Sequence, residues 1–228
     1  MMKLWISLIW LFALQGPPSV KVAGSMRKVM QQHDLSAAIS IDTLVQRQKN
    51  IFGLGPAENL EGEILIIDGR AYATHIEGGE ISNYKDQPIR AAFLAYAQVN
   101  RWLPVTITTP IENMNELEEF LSNKITEKKW TGAIPFQIKS KNAVITSHII
   151  DWKAGEIHRM DNHKQFAKNL TIANEEVMMF GFYSTEHAGI IIHHTSRVHI
   201  HVWQARTQHV SHVEQLKLPG HFELLLPE

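Results

Sequence analysis

Four histidines fall within the nineteen residues of RVHIHVWQARTQHVSHVEQ, Arg197 to Gln215. Imidazole is both a metal ligand and a proton carrier near neutral pH, so their spacing decides what they can do. His199 and His201 alternate along the chain with Arg197, and alternate residues of a strand share one face. Two such Cβ atoms lie roughly 6–7 Å apart at a rise of about 3.4 Å per residue, close enough to reach one ion. Val198, Ile200 and Val202 take the opposite face and suit a core, which turns the imidazoles toward a cleft, a second layer or solvent. Gln204 to Thr207 makes no apolar demand and reads as a hairpin loop. A four-residue loop there sets His199 opposite His212, and a three-residue loop sets His201 opposite His209. Opposed Cβ atoms are roughly 4.5–5.5 Å apart. Either register gathers three imidazoles, as in open zinc sites that keep one position for substrate. The spacing leaves His212 and His209 both available, and a polar sheet face without metal fits the same pattern.

The rest of the composition narrows the chemistry. The 228 residues include no cysteine, so a thiolate nucleophile, a disulfide framework and a cysteine-type zinc site are excluded. Any metal is held by histidine and carboxylate. A net charge of −1, with no basic run, gives no electrostatic footprint for nucleic acid or an anionic membrane. The N-terminus, MMKLWISLIWLFALQG, has an apolar run from Leu4 to Leu14 behind one lysine. That run is too short to span a bilayer, which takes roughly 20 residues, and it matches the h-region of a secretory signal peptide. Residues 1–24 are therefore expected to be a removed leader. Residues 25–228 are expected to be an exported domain, periplasmic or extracellular, with no membrane attachment once the leader is gone.

The elements that must position the histidines are mostly strands. Ser25 to Asp34 reads as a lead-in or short helix, Ala37 to Ile41 as a strand, and Asp42 starts a helix reaching about Asn50. FGLGP, Phe52 to Pro56, reads as loop because two glycines and a proline fall within five residues. EILIIDGRAYATHI is a hairpin turning at Asp68-Gly69. Met114 to Glu127 is the clearest helix, with Leu117, Phe120 and Leu121 on one face. Phe136 to Lys139 and Ala143 to Ile150 flank KSKN as a second hairpin, and Asp161 to Asn169 reads as loop or short helix. Strands outnumber helices, so the class is α+β: two-layer mixed or antiparallel sheets in two subdomains with few helices. A soft division is expected near residues 130–135, where the long helix ends.

Two separated stretches carry a family resemblance. FGLGPAENLEGEILIIDGRAYA, Phe52 to Ala73, resembles the N-terminal signature of the α-acetolactate decarboxylases, with its Gly-x-Gly segment, Leu-acid-Gly-Glu strand start and Asp-Gly turn. GFYSTEHAGIIIHHTSRVHIHV, followed by HVSHVEQ, is similar to the family's later segment, where a His-x-His pair precedes a third histidine eleven residues on. The resemblance spans about residues 37 to 227 and implies a zinc ion on His199, His201 and His212, with Glu63 at the metal. It implies decarboxylation of 2-acetolactate to acetoin, a small hydroxy-keto acid substrate, and possible homodimers. The departures are specific. The family's middle strand carries a Lys-Thr-Arg-Thr run whose arginine faces the substrate carboxylate, whereas AVITSHIID, Ala143 to Asp151, has only His148 as a potential cation. His148 is then either a weaker, pH-dependent substitute or an ordinary strand histidine, and Arg197 is a second candidate for the missing charge. The family's lead of Asn-Val-Pro-Gly-Tyr is here HTSRV, and its further C-terminal glutamate has no counterpart before Glu228. The alternatives are a zinc enzyme of the same fold acting on another small hydroxy-keto acid or as a hydrolase, and an exported zinc-binding protein without turnover.

Overall fold

The computed structural model describes residues 16–85, 87–153, 156 and 163–228. Residues 1–15 of the expected leader lie outside them. Val20–Ala23 is the first strand, β1, followed by helix α1 (Met26–Gln32) capped by the Ser25 hydroxyl, a two-residue strand β2 (Ile39–Ser40) and helix α2 (Ile41–Arg47). Then come β3 (Ile51–Pro56), β4 (Glu63–Ile67), β5 (Arg70–Glu77), β6 (Glu80–Asn83), β7 (Arg90–Ala91) and β8 (Leu94–Gln98). Six of these strands form an antiparallel sheet in the order β1-β8-β3-β4-β5-β6, and β2 pairs separately with β7. Asp68 and Gly69 both have positive φ, 50° and 74°, as the tight β4–β5 turn requires.

The loop expected at FGLGP is instead β3, a strand paired on both sides. Its glycines serve packing. A Cβ on Gly55 would stand 2.0 Å from the Phe93 carbonyl oxygen, and one on Gly53 would stand 2.8 Å from the Tyr96 Cβ. Glycine here allows close backbone approach within a strand.

The second sheet begins with β9 (Trp102–Ile107), so the change of sheet falls between Gln98 and Trp102, ahead of the expected soft division. Helix α3 (Met114–Glu127) follows, its first turn closed by the Asn113 side chain accepting from the Glu116 N–H. The remaining strands are β10 (Ile134–Ser140), β11 (Val144–Ile150), β12 (Ala167–Ile172), β13 (Val177–Tyr183), β14 (Val198–Gln204), β15 (Val210–Lys217) and β16 (Phe222–Pro227). They lie in the order β12-β11-β15-β14-β13-β10-β16-β9. Strand β12 begins inside the stretch read as loop or short helix, after a 3₁₀ turn at His163–Phe166; positions 161 and 162 lie outside the described residues.

The hairpin expected around KSKN is not made, because β15, β14 and β13 stand between β10 and β11. Four strand spacings of about 4.8 Å amount to roughly 19 Å, more than the roughly 14 Å that four residue steps can reach. The sheet therefore curls over on itself. Inside the curl Leu117, Leu121 and Ile125 of α3 join Phe136, Ile200 and Leu224 in one apolar cluster. The sheet's other face packs Phe180, Phe182 and Val210 against Leu54 and Leu65 of the first sheet and Phe93 just before β8. The architecture is α+β, and the central strands β13 and β14 of the second sheet are buried on both faces. Among the described residues no helix is long and apolar enough to cross a membrane.

Candidate functional site

Strand β14 keeps the alternation read from its sequence. Val198, Ile200 and Val202 enter the cluster around α3, and His199 and His201 face the first sheet. The β14–β15 register differs from both expected ones: His201 stands opposite His212, and Trp203 opposite Val210. The reason lies at Gln204. Its side-chain amide donates to Glu175 Oε1 at 2.9 Å, it is buried, and its N–H bonds to the His209 carbonyl at 3.0 Å. Gln204 is thus the last residue of the strand, and the loop is Ala205 to Gln208, the latter left-handed with φ 60°. Among the described residues one group of metal-capable side chains converges, His199, His201 and His212, with ligand atoms all within 4.8 Å of one another. Their ring centroids form a nearly equilateral triangle with sides of 5.2, 5.0 and 5.3 Å. His209 does not belong to it.

Backbone carbonyls set two of the imidazoles. A carbonyl only accepts, so His199 Nδ1–H donates to Ile191 O at 2.8 Å and His201 Nδ1–H donates to Ile64 O at 2.9 Å. Each Nε2 is left as a lone pair turned inward, the arrangement of metal-bound histidines. Burial drives His199 down to about 4 and His201 well below the ordinary histidine value, so both are neutral at pH 7. Among the described residues, His201 Nε2 is buried without a hydrogen-bond partner. A buried orphan acceptor of this kind costs stability unless something binds it. Three converging imidazole nitrogens beside a carboxyl group are a donor set suited to zinc.

Glu63 supplies the carboxylate. It opens β4 immediately after Gly62, where a Cβ would stand 2.2 Å from the Thr74 carbonyl oxygen, so glycine brings the acid in close to β5. Its Oε2 lies 3.4 Å from His201 Nε2, and its Oε1 accepts the Ile150 N–H at 3.4 Å. Burial pushes the Glu63 carboxyl well above the usual range, and the proton is retained where a surface glutamate would have lost it. His148 of β11 stands opposite His212 with the rings 4.9 Å apart. Its Nε2 is 3.9 Å from Glu63 Oε1, and its Nδ1 is 3.0 Å from Glu214 Oε1.

Glu214 escaped the sequence reading. It is the extra residue of a β-bulge, since Val213 pairs with Ser147 and Gln215 with Thr146. The trace of the bulge is that Val213 and Leu216, three apart, share one core. Unbroken alternation would have put them on opposite faces.

Arg197 lies just before β14, where the alternation no longer applies. Its guanidinium Nε donates to Glu118 Oε2 at 3.2 Å and its backbone N–H to Glu118 Oε1 at 2.8 Å. This bonding raises its already high pKa and ties it to α3. The triad, Glu63, His148 and Glu214 share the wall of a cavity of about 390 Å³; Arg197 is not among the lining residues.

Residues 24–224 match the family described as alpha-acetolactate decarboxylase. No curated protein matches the chain. Among the similar solved structures is a Staphylococcus aureus protein of unknown function described as similar to alpha-acetolactate decarboxylase. It has a TM-score of 0.72 and 14% identity over 92% of this chain and 85% of that one. Alpha-acetolactate decarboxylase from Bacillus subtilis strain 168 gives 0.69 and 12%, covering 92% and 85%. Acetolactate decarboxylase from Bacillus subtilis subspecies spizizenii gives 0.70 and 14%, covering 92% and 86%. At these identities the structural likeness is one of fold.

Proposed function

The chain belongs to the alpha-acetolactate decarboxylase family, as a carboxy-lyase of that kind, and from that premise we propose that it is a zinc enzyme converting 2-acetolactate to acetoin in acetoin biosynthesis. The observation that carries the reading is the convergence of three imidazoles, two of them locked by carbonyls, beside a buried carboxyl group. His199, His201 and His212 would hold the zinc, which would supply Lewis acidity to the bound substrate.

The chain's own residues do the rest. The C1–C2 bond of acetolactate breaks, carbon dioxide leaves, and the electron pair passes toward the C3 ketone oxygen. C2 must then take a proton before acetoin is released. Glu63 holds that proton at its carboxyl, steadied by the Ile150 N–H, and acts as the general acid. His148 presents Nε2 to the same space as the group nearest the departing carboxylate, and Glu214 orients its ring through Nδ1. Arg197 takes no direct part, being held by Glu118.

Metal-free and zinc-reconstituted protein, each given acetolactate, test this. Acetoin appears only with zinc if the reading is right, and stoichiometric zinc without acetoin overturns it. Export is part of the proposal, and the pairing of β1 with β8 along its full length supports a leader shorter than the expected residues 1–24, cut ahead of Val20. The mass of the secreted chain checks the cut.

A further inference from the structure

The cavity is larger than acetolactate needs. That acid has nine non-hydrogen atoms, whereas about 390 Å³ falls within the roughly 300–1,000 Å³ that encloses drug-sized ligands. Much of the spare wall is apolar. Met26, Val29 and Met30 lie on one face of α1 and line the cavity together with Leu60 and Phe93. Among the described residues no lysine or arginine lines the cavity, so these walls offer no Lys or Arg partner to a second anionic group on the substrate.

This wall is tied to the imidazoles. The Arg27 N–H donates to Gly189 O at 3.0 Å and the Met26 N–H to Ile190 O at 3.3 Å, while the next carbonyl along, Ile191 O, accepts from His199 Nδ1. One short loop thus fixes both α1 and a triad histidine. Phe93 lies parallel to the His199 ring at 6.2 Å and carries the apolar surface from the triad toward α1. Met26 to Met30 spans about 6 Å at a rise of about 1.5 Å per residue, the reach of a chain of roughly four or five carbons. Unbranched thioethers adapt to such a chain.

We propose that this wall is an alkyl subsite and that the preferred substrates are 2-hydroxy-3-oxo acids with a longer unbranched alkyl group at C2 than acetolactate's methyl. The inference rests on the decarboxylase reading and specifies its substrate. The reaction is unchanged: carbon dioxide leaves C2, one proton replaces it, and the product is the longer acyloin.

The test uses zinc-loaded full chain and a series with methyl, ethyl, propyl and butyl at C2. Burying each added methylene should raise kcat/KM about fourfold, and a flat or falling series overturns the proposal. A second readout needs no turnover. Calorimetric Kd values of 2-alkyl-2-hydroxy acids lacking the ketone should tighten about fourfold per methylene, and a Kd independent of length overturns the subsite. If these ligands bind with the expected dependence but no keto acid is decarboxylated, the decarboxylase reading fails and the subsite stands. Met30→Trp, checked for folding and zinc content, should bring the butyl-to-methyl ratio of kcat/KM to one or below. An unchanged ratio in a folded, zinc-loaded variant overturns the placement under α1.

Discussion

Acid should weaken the metal-free protein through its triad. His199 titrates near 6.5 in an unfolded chain and near 4 in the folded one, because burial penalises its charged form. Between those values the unfolded chain takes up the proton first. The contribution of neutral His199 to stability is therefore complete above pH 6.5 and is lost as the pH falls toward 4. At about 1.4 kcal/mol per pH unit, the loss is about 3 kcal/mol, a large share of a typical folding stability of about 5–15 kcal/mol. Glu63 works in the opposite sense. It keeps its proton after the unfolded chain has lost it, so its contribution is complete below 4.5 and fades as the pH rises through its raised value. The two effects overlap, and a variant separates them. His199→Gln removes the titration and keeps a donor for the Ile191 carbonyl. Urea unfolding of both proteins with chelator present, at intervals from pH 7 to 4, gives the difference in stability. It should move by about 3 kcal/mol in favour of the variant as the pH falls. Parallel curves for the two proteins would refute a neutral, buried His199.

Three further outcomes follow from the same geometry. Glu63→Gln should retain zinc and lose at least about a hundredfold in kcat, the usual cost of removing a general acid, read as acetoin release. Glu214→Gln should retain zinc and lower kcat/KM about tenfold or more, as expected for a group that orients another. Gly55→Ala should destabilise the fold by about 3 kcal/mol or prevent folding, since its Cβ would meet the Phe93 carbonyl oxygen at 2.0 Å; the denaturant midpoint reports it.

Much of this site was legible because one strand wrote it plainly. Val198, Ile200 and Val202 alternate with His199 and His201, so one face had to be core and the other had to hold the imidazoles. Local rules failed where a distant partner decided. Two glycines and a proline said loop at Phe52 to Pro56, but the approach of β8 makes them strand. The hairpin loop begins one residue later than local polarity implies, because the bond from Gln204 to Glu175 joins residues far apart in sequence. That shift moved His212 from opposite His199 to opposite His201 without taking it out of the cluster. Strand alternation suggested that Arg197 faced the site, yet β14 begins one residue later and Glu118 holds the guanidinium. Burial of Glu63 depends on how the two sheets pack, which a strand-end acid does not advertise.

The central claim is that His212, and not His209, completes a zinc site with His199 and His201. Zinc content after dialysis, measured on the native chain and on the His212→Ala and His209→Ala variants, tests it most directly. One zinc per chain is expected in the native protein and in His209→Ala, and loss of the metal in His212→Ala. Zinc retained by His212→Ala and lost from His209→Ala would contradict it.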